Sequence, residues 1–245
     1  MTDAQHLLAD EVTVGYGRQV VVDGVTLRID RGETVGLRGP SGSGKSTLVR
    51  VLALLHRPDH GQVSIDGTPV HGVRYAVPVA LRTRVAALFQ SPRAAADPRL
   101  SLADLIAEPL RATRTPEPTV RERVAELADL VGLTADLRGR RPHAVSDGQL
   151  QRACLARALA HRPDYLLCDE ATAMLDASTQ AHVAAVIRDY QRTRRAGVLV
   201  ISHDQTLLDR WSDRIVDLAS QLMTGRTSAA GEHSRSAERP RTTRA

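Results

Sequence analysis

Eight residues, Gly39-Pro40-Ser41-Gly42-Ser43-Gly44-Lys45-Ser46, restrict what this chain can fold into more than any other stretch. They fit the pattern G-x-x-x-x-G-K-[ST], with Thr47 next, and stand between an apolar run, Thr34–Leu37, and a helix-periodic run, Lys45–Leu55. Glycines at this spacing let backbone N–H groups turn inward around an anion, and the helix that follows points its positive end at the same place. The expected result is a nucleotide cradle built from Gly39, Pro40, Ser41, Gly42, Ser43, Gly44, Lys45, Ser46 and Thr47. Lys45 is expected to bridge the β- and γ-phosphates and the Ser46 hydroxyl to ligate Mg2+. A Gly/Ser turn that matches by chance is the competing reading. The strand–loop–helix context weighs against it, and so does composition: of the 33 lysines and arginines, only Lys45 is a lysine. A compact ammonium on a flexible stem does in a tight loop what a planar guanidinium cannot.

The rest of the chain fits an alternating architecture. Strand patterns are expected at Leu8–Val14, Val25–Ile29, Gln62–Asp66, Val85–Phe89, Tyr165–Cys168, Val198–Ser202 and Arg214–Leu218. From Ser91 to about Pro142 the periodicity turns helical, at Leu102, Leu105, Ile106 and again at Val124, Leu127, Leu130 and Val131, and reads as an inserted helical subdomain. Further helices are expected from about Gln149 and over Thr179–Arg194. Strands alternating with helices imply a mostly parallel sheet covered on both faces, with ligands at the carboxyl ends of its strands.

Tyr165–Cys168 is a continuous apolar run, as a strand buried on both faces should be, and it ends on Asp169 and Glu170. In phosphate-loop enzymes an acidic residue at such a strand end holds Mg2+, and a neighbouring base polarises the attacking water. Asp169 is expected in the first role and Glu170 in the second. In isolation, an acidic pair of this kind is as often a solvated turn.

Val145-Ser146-Asp147-Gly148-Gln149, followed by Leu150-Gln151-Arg152, resembles the LSGGQ signature of ABC ATPases, and the resemblance covers nearly the whole chain in the family's order. It implies a fold with a phosphate-loop core, antiparallel N-terminal strands and an inserted helical subdomain at about 91–152, all in one domain over 1–220. It also implies roles for single residues. Tyr16 matches the aromatic residue that stacks on adenine. Gln90, in Leu88-Phe89-Gln90-Ser91-Pro92, matches the glutamine that reaches Mg2+ and the membrane subunit. Asp176 matches the D-loop aspartate, and His203 the histidine that contacts the γ-phosphate. Ser146, Asp147, Gly148 and Gln149 are implied to meet the nucleotide of a partner ATPase in a head-to-tail dimer. Taken singly, Tyr16, Gln90 and His203 would read as ordinary loop and strand-end residues. The stretch Ser91–Leu110 and Arg141-Pro142 resemble the oligopeptide, dipeptide and nickel importer branch, and Gln149–Ala160 with Ala171 leans toward nickel importers.

Two departures from that pattern stand out. Asp147 replaces a glycine, and an anionic side chain near a γ-phosphate would be repelled unless it points away; Val145 replaces a leucine. After Leu218 only a polar tail follows, without the extension of some peptide-branch members. The tail, 221–245, is rich in Ser, Thr and Arg and is expected to be disordered.

The net charge of +5 is spread along the chain, which argues against a nucleic-acid partner. Met1–Asp10 lacks a secretory pattern, and the longest apolar runs, Val51–Leu55 and Val198–Ile201, are too short to cross a bilayer. The expectation is a protein on the cytoplasmic face of the membrane, bound to permease subunits and a second, related ATPase, with an extracytoplasmic solute-binding protein as an indirect partner. Cys154 and Cys168 form no CxxC pair and are expected as buried thiols. The rival readings are a non-transport ABC ATPase, a regulatory subunit that hydrolyses ATP poorly, and a phosphate-loop small-molecule kinase.

Overall fold

The computed structural model describes residues 5–173 and 175–220. The tail expected at 221–245 lies outside the described residues.

Two sheets form the frame. The first is antiparallel, in the order β2 (Gln19–Asp30), β1 (His6–Tyr16), β4 (His60–Ile65), β5 (Thr68–Pro69). The second is parallel, in the order β6 (Val85–Leu88), β7 (Tyr165–Asp169), β8 (Gly197–Ile201), β3 (Thr34–Arg38), β9 (Arg214–Asp217). The α-helices lying wholly within the described residues are α1 (Lys45–Leu52), α2 (Val79–Arg82), α3 (Pro92–Ala95), α4 (Leu102–Ala112), α5 (Glu117–Leu130), α6 (Ala135–Arg138), α7 (Asp147–Ala158), α8 (Ala177–Arg194) and α9 (Gln205–Trp211).

The period-2 alternation of a strand sorts the parallel sheet between two cores. In β7, Tyr165 and Leu167 face a core shared with α1 and the antiparallel sheet, while Leu166 and Cys168 face a core shared with α4, α5, α7 and α8. In β8, Leu199 and Ile201 take the first side, Val198 and Val200 the second. Both faces are therefore covered, as the unbroken apolar runs required. In α4, Leu102, Leu105, Ile106 and Leu110 are buried at helical spacing, and the Ser101 hydroxyl caps the helix by accepting from Asp104 N at 3.1 Å.

At the amino ends of the parallel strands sits a charge cluster. Arg84, just before β6, donates from Nε to Asp164 at 2.6 Å and also pairs with Asp66 at the end of β4. Arg31 pairs with Asp164, and the Tyr165 hydroxyl donates to Asp66. These contacts fasten the antiparallel sheet to the parallel one at the edge away from the phosphate loop.

Some boundaries differ from expectation, each for a local reason. The helix expected through Leu55 stops at Leu52, because Leu54 turns to φ 60° and both Leu55 N and His56 N return to the Arg50 carbonyl. The helix expected from Gln149 starts at Asp147, and the one expected from Thr179 starts at Ala177, because Ser146 and Asp176 are their N-caps.

Candidate functional site

The parallel strands β6, β7, β8 and β3 are neighbours, so the segments leaving their carboxyl ends meet along one edge. β3 delivers the Gly39–Ser46 loop, β6 delivers Gln90, β7 delivers Asp169 and Glu170, and β8 delivers His203.

Gly44 caps α1 at φ 93°, and a Cβ there would stand 2.8 Å from the Val21 carbonyl oxygen. Only glycine fits both the backbone angle and the space. Lys45 is 6% exposed, and its Nζ donates to the carbonyls of Gly39 at 2.8 Å and Pro40 at 2.9 Å, which holds the amine over its own loop. The Ser43 hydroxyl is buried and has no protein partner. Thr47 is buried, and Ser46 is exposed and hydrogen-bonds the Asp169 carboxylate.

Asp169 is 6% exposed. Burial pushes its carboxyl above the ordinary value and the Glu170 charge adds to that, while the Ser46 hydrogen bond and the charges of Arg50 and Lys45 pull it down. Glu170 leaves the strand at φ 50°, with its N–H on the Ile201 carbonyl. Its carboxylate is bracketed: Gln90 Nε2 donates to Oε2 at 3.0 Å, and His203 Nε2 lies 2.7 Å from Oε1. The three residues expected to be catalytic thus form one contiguous cluster.

Tyr16, at the end of β1 and 48% exposed, lies with its ring centroid 5.5 Å from that of His56. A cleft of about 630 Å3 joins Tyr16 to Ser46, Arg50, Gln90 and Asp169.

Ser146, Asp147, Gly148 and Gln149 are not among the residues that line that cleft. They open α7 with a reciprocal cap, in which Ser146 Oγ accepts from Gln149 N at 3.2 Å and Gln149 Oε1 accepts from Ser146 N at 3.0 Å. Gly148 packs close to Thr179 of α8, where a Cβ would lie 3.1 Å from Thr179 Cγ2. Asp176 faces its own helix and accepts from Ser178 N, Thr179 N and both hydroxyls, which holds its carboxyl well below the usual range. The Asp147 carboxylate pairs with Arg93 at 2.7 Å. Arg93 and His56 escaped the sequence reading: one is an arginine among many, the other a histidine in a loop, and only the fold brings them to Asp147 and Tyr16. Cys154 and Cys168 are free and buried, as expected.

Residues 22–173 match the ABC transporter family. The chain is 40% identical over 197 residues to the putative oligopeptide transport ATP-binding protein YkfD of Bacillus subtilis, covering 79% of this chain and 60% of that protein. It is 39% identical over 201 residues to the nickel import ATP-binding protein NikE of Rhodospirillum rubrum, covering 82% and 73%. To the methionine import ATP-binding protein MetN of Thermobifida fusca it is 41% identical over 214 residues, covering 86% and 66%. Nickel importers are therefore not set apart from peptide importers, contrary to the leaning of Gln149–Ala160 and Ala171. The chain spans about 60% of the length of YkfD and of the Escherichia coli oligopeptide transport protein OppF. Among solved structures, the dimeric post-hydrolysis state of the ATP-binding cassette MJ0796 bound to ADP and Pi superposes with a TM-score of 0.75 at 27% identity, covering 86% of this chain and 93% of that one. With the phosphate loop, the acidic strand end and the signature helix in the positions that the fold requires, the chain belongs to the ABC transporter family as one of its ATP-binding cassettes.

Proposed function

We propose that this chain hydrolyses ATP to power a membrane importer of peptides, nickel or a related small solute. One observation carries the catalytic part: the Glu170 carboxylate, held between Gln90 and His203 beside the phosphate loop. A carboxylate fixed by donors on both oxygens is oriented to accept a proton from water attacking the γ-phosphate. The Gly39–Thr47 loop binds and orients the triphosphate, with Lys45 exchanging its two loop carbonyls for phosphate oxygens. Tyr16 supplies the adenine platform, and His203 a donor toward the γ-phosphate.

The residues also fit Mg2+. Among the described residues no group of three or more His, Cys, Asp or Glu could hold a metal alone. The ion would be held by the Asp169 carboxylate, the Ser46 hydroxyl, Gln90 and phosphate oxygens rather than by a protein cage. When bound, Mg2+ neutralises charge on the phosphates. The Asp169 carboxylate would then be held in its charged form despite its burial.

Ser146, Asp147, Gly148, Gln149 and Asp176 would face a second ATPase in a dimer; the similar MJ0796 cassette is itself dimeric. The pairing of Asp147 with Arg93 offsets the charge that would have favoured a poorly hydrolysing subunit. Among the described residues no helix is long and apolar enough to cross a membrane. On the importer reading, attachment to a membrane would run through permease subunits. These partners, a solute-binding protein and a place on the cytoplasmic face follow from the importer reading.

Phosphate release from ATP with Mg2+, compared between the parent chain and Glu170→Gln, tests the proposal. The variant should keep ATP bound and lose about 10^2- to 10^4-fold in turnover. Turnover within about threefold of the parent would remove Glu170 from the role of base.

A further inference from the structure

Arg93 makes an unusual set of contacts for a residue three positions past Gln90. Its Nε reaches Asp147 Oδ1 at 2.7 Å, Nη1 donates to the Pro142 carbonyl at 3.0 Å, and Nη2 to the Val145 carbonyl at 3.2 Å. All three guanidinium nitrogens thus grip the segment that carries the signature. The same stretch of chain is fastened to α7 on either side of Arg93. Gln151, 1% exposed, donates from Nε2 to the Phe89 carbonyl at 3.3 Å, and Arg157 Nη1 donates to the Ala95 carbonyl at 2.7 Å. Gln90 in turn holds Glu170. A continuous chain of contacts therefore runs from the hydrolytic carboxylate, through residues 89–95, to the reciprocal cap of Ser146 and Gln149.

Asp147 and Arg93 are each about half exposed, and pairs in that setting add little to folding stability. The contact acts instead on where a charge stands. At the first turn of α7 an unpaired carboxylate would add its negative field where the dimer brings a phosphate, while a guanidinium at 2.7 Å cancels most of it and draws the side chain toward the Gln90 segment.

We propose that Arg93 is a positioning residue that makes the acidic signature competent. It neutralises Asp147 and holds it away from the partner's nucleotide, and so joins Gln90 of one composite site to the signature of the other. This rests on the dimer reading above. Arg93→Ala should lower ATP turnover by at least about tenfold when Asp147 is present, and by less than about threefold in the Asp147→Gly background, a coupling in the range measured for contacting residues. Arg93→Gln, which keeps donors but no charge, should behave as Arg93→Ala does. The Arg93→Ala deficit should shrink between about 0.05 and 0.5 M salt, where screening shortens from more than 10 Å to less than 8 Å. Thermal melting should move little in any of these variants. An Arg93→Ala loss that persists undiminished in the Asp147→Gly background would overturn the proposal, because Arg93 would then serve only as a brace for the Pro142 and Val145 carbonyls. So would an Arg93→Ala chain that matches the parent. A parent chain that neither dimerises with ATP nor hydrolyses it would sink the dimer reading, and this proposal with it.

Discussion

Arg84→Met removes one of the two arginines from a cluster that ties the two sheets together without touching the phosphate loop. The Arg84 side chain is 25% exposed, and its partners Asp66 and Asp164 are 14% and 25% exposed. Breaking a fully buried pair costs about 3–5 kcal/mol, and an exposed pair contributes at most about 1 kcal/mol. Arg31 still pairs with Asp164, and the Tyr165 hydroxyl still donates to Asp66, so neither carboxylate is left bare. The loss should therefore fall between those limits, at about 2–3 kcal/mol. For a domain of this size that is a fall in melting temperature of about 4–12 °C. Differential scanning calorimetry measures it. Turnover at about 25 °C should survive, because five residues separate Arg84 from Gln90 along β6, and five separate Asp164 from Glu170 along β7, or about 20 Å of extended chain. A shift below about 1 °C would show that water already screens the cluster. A loss of turnover without a loss of melting temperature would show that the cluster governs the site rather than the frame.

Lys45→Arg should abolish ATP binding measured by calorimetry although the charge is kept, because a planar guanidinium cannot sit where Nζ meets the Gly39 and Pro40 carbonyls; an unchanged affinity would refute this. Gly44→Ala places a methyl 2.8 Å from the Val21 oxygen at φ 93° and should cost about 1–3 kcal/mol in urea unfolding along with nucleotide affinity, whereas an unshifted midpoint would mean the loop adapts freely. Burial pushes both thiols up, Cys168 to about 12, so the reactive thiolate is scarce at pH 8 and iodoacetamide should label neither cysteine until the chain is unfolded. Rapid labelling of the folded protein, read by mass spectrometry, would contradict the burial.

What could be read from the sequence was what local geometry imposes. The phosphate loop needs glycines and a compact amine at fixed spacing, and β7 needs an apolar run that ends abruptly in acid, so Gly39–Ser46 and Asp169-Glu170 were visible without a fold. Gln90 and His203 were found by resemblance alone; it is the adjacency of β6, β7 and β8 that puts both on Glu170. Arg93 was invisible because its partner lies 54 positions away, at Asp147, and one arginine among 33 basic residues carries no mark of its own. Arg84 was hidden in the same way, with partners 18 and 80 residues distant. The end of α1 was misjudged because Leu54 continues the apolar pattern while its backbone turns left-handed, a conformation that a buried leucine reveals only once packed.

The solitary lysine has a consequence outside catalysis. Any chemistry that needs an ε-amine finds one address in this sequence, at a position 6% exposed and tethered to two carbonyls. Lysyl endopeptidase has a single bond to cut, Lys45–Ser46, where α1 begins, and cutting divides the chain into residues 1–45 and 46–245. Lys45 is buried there and tethered to two carbonyls, so cleavage requires the phosphate loop to open, either locally or with the whole domain. Opening rates of the nucleotide cradle can therefore be followed on a gel, as the exchange of one band for two, with no label attached to the protein.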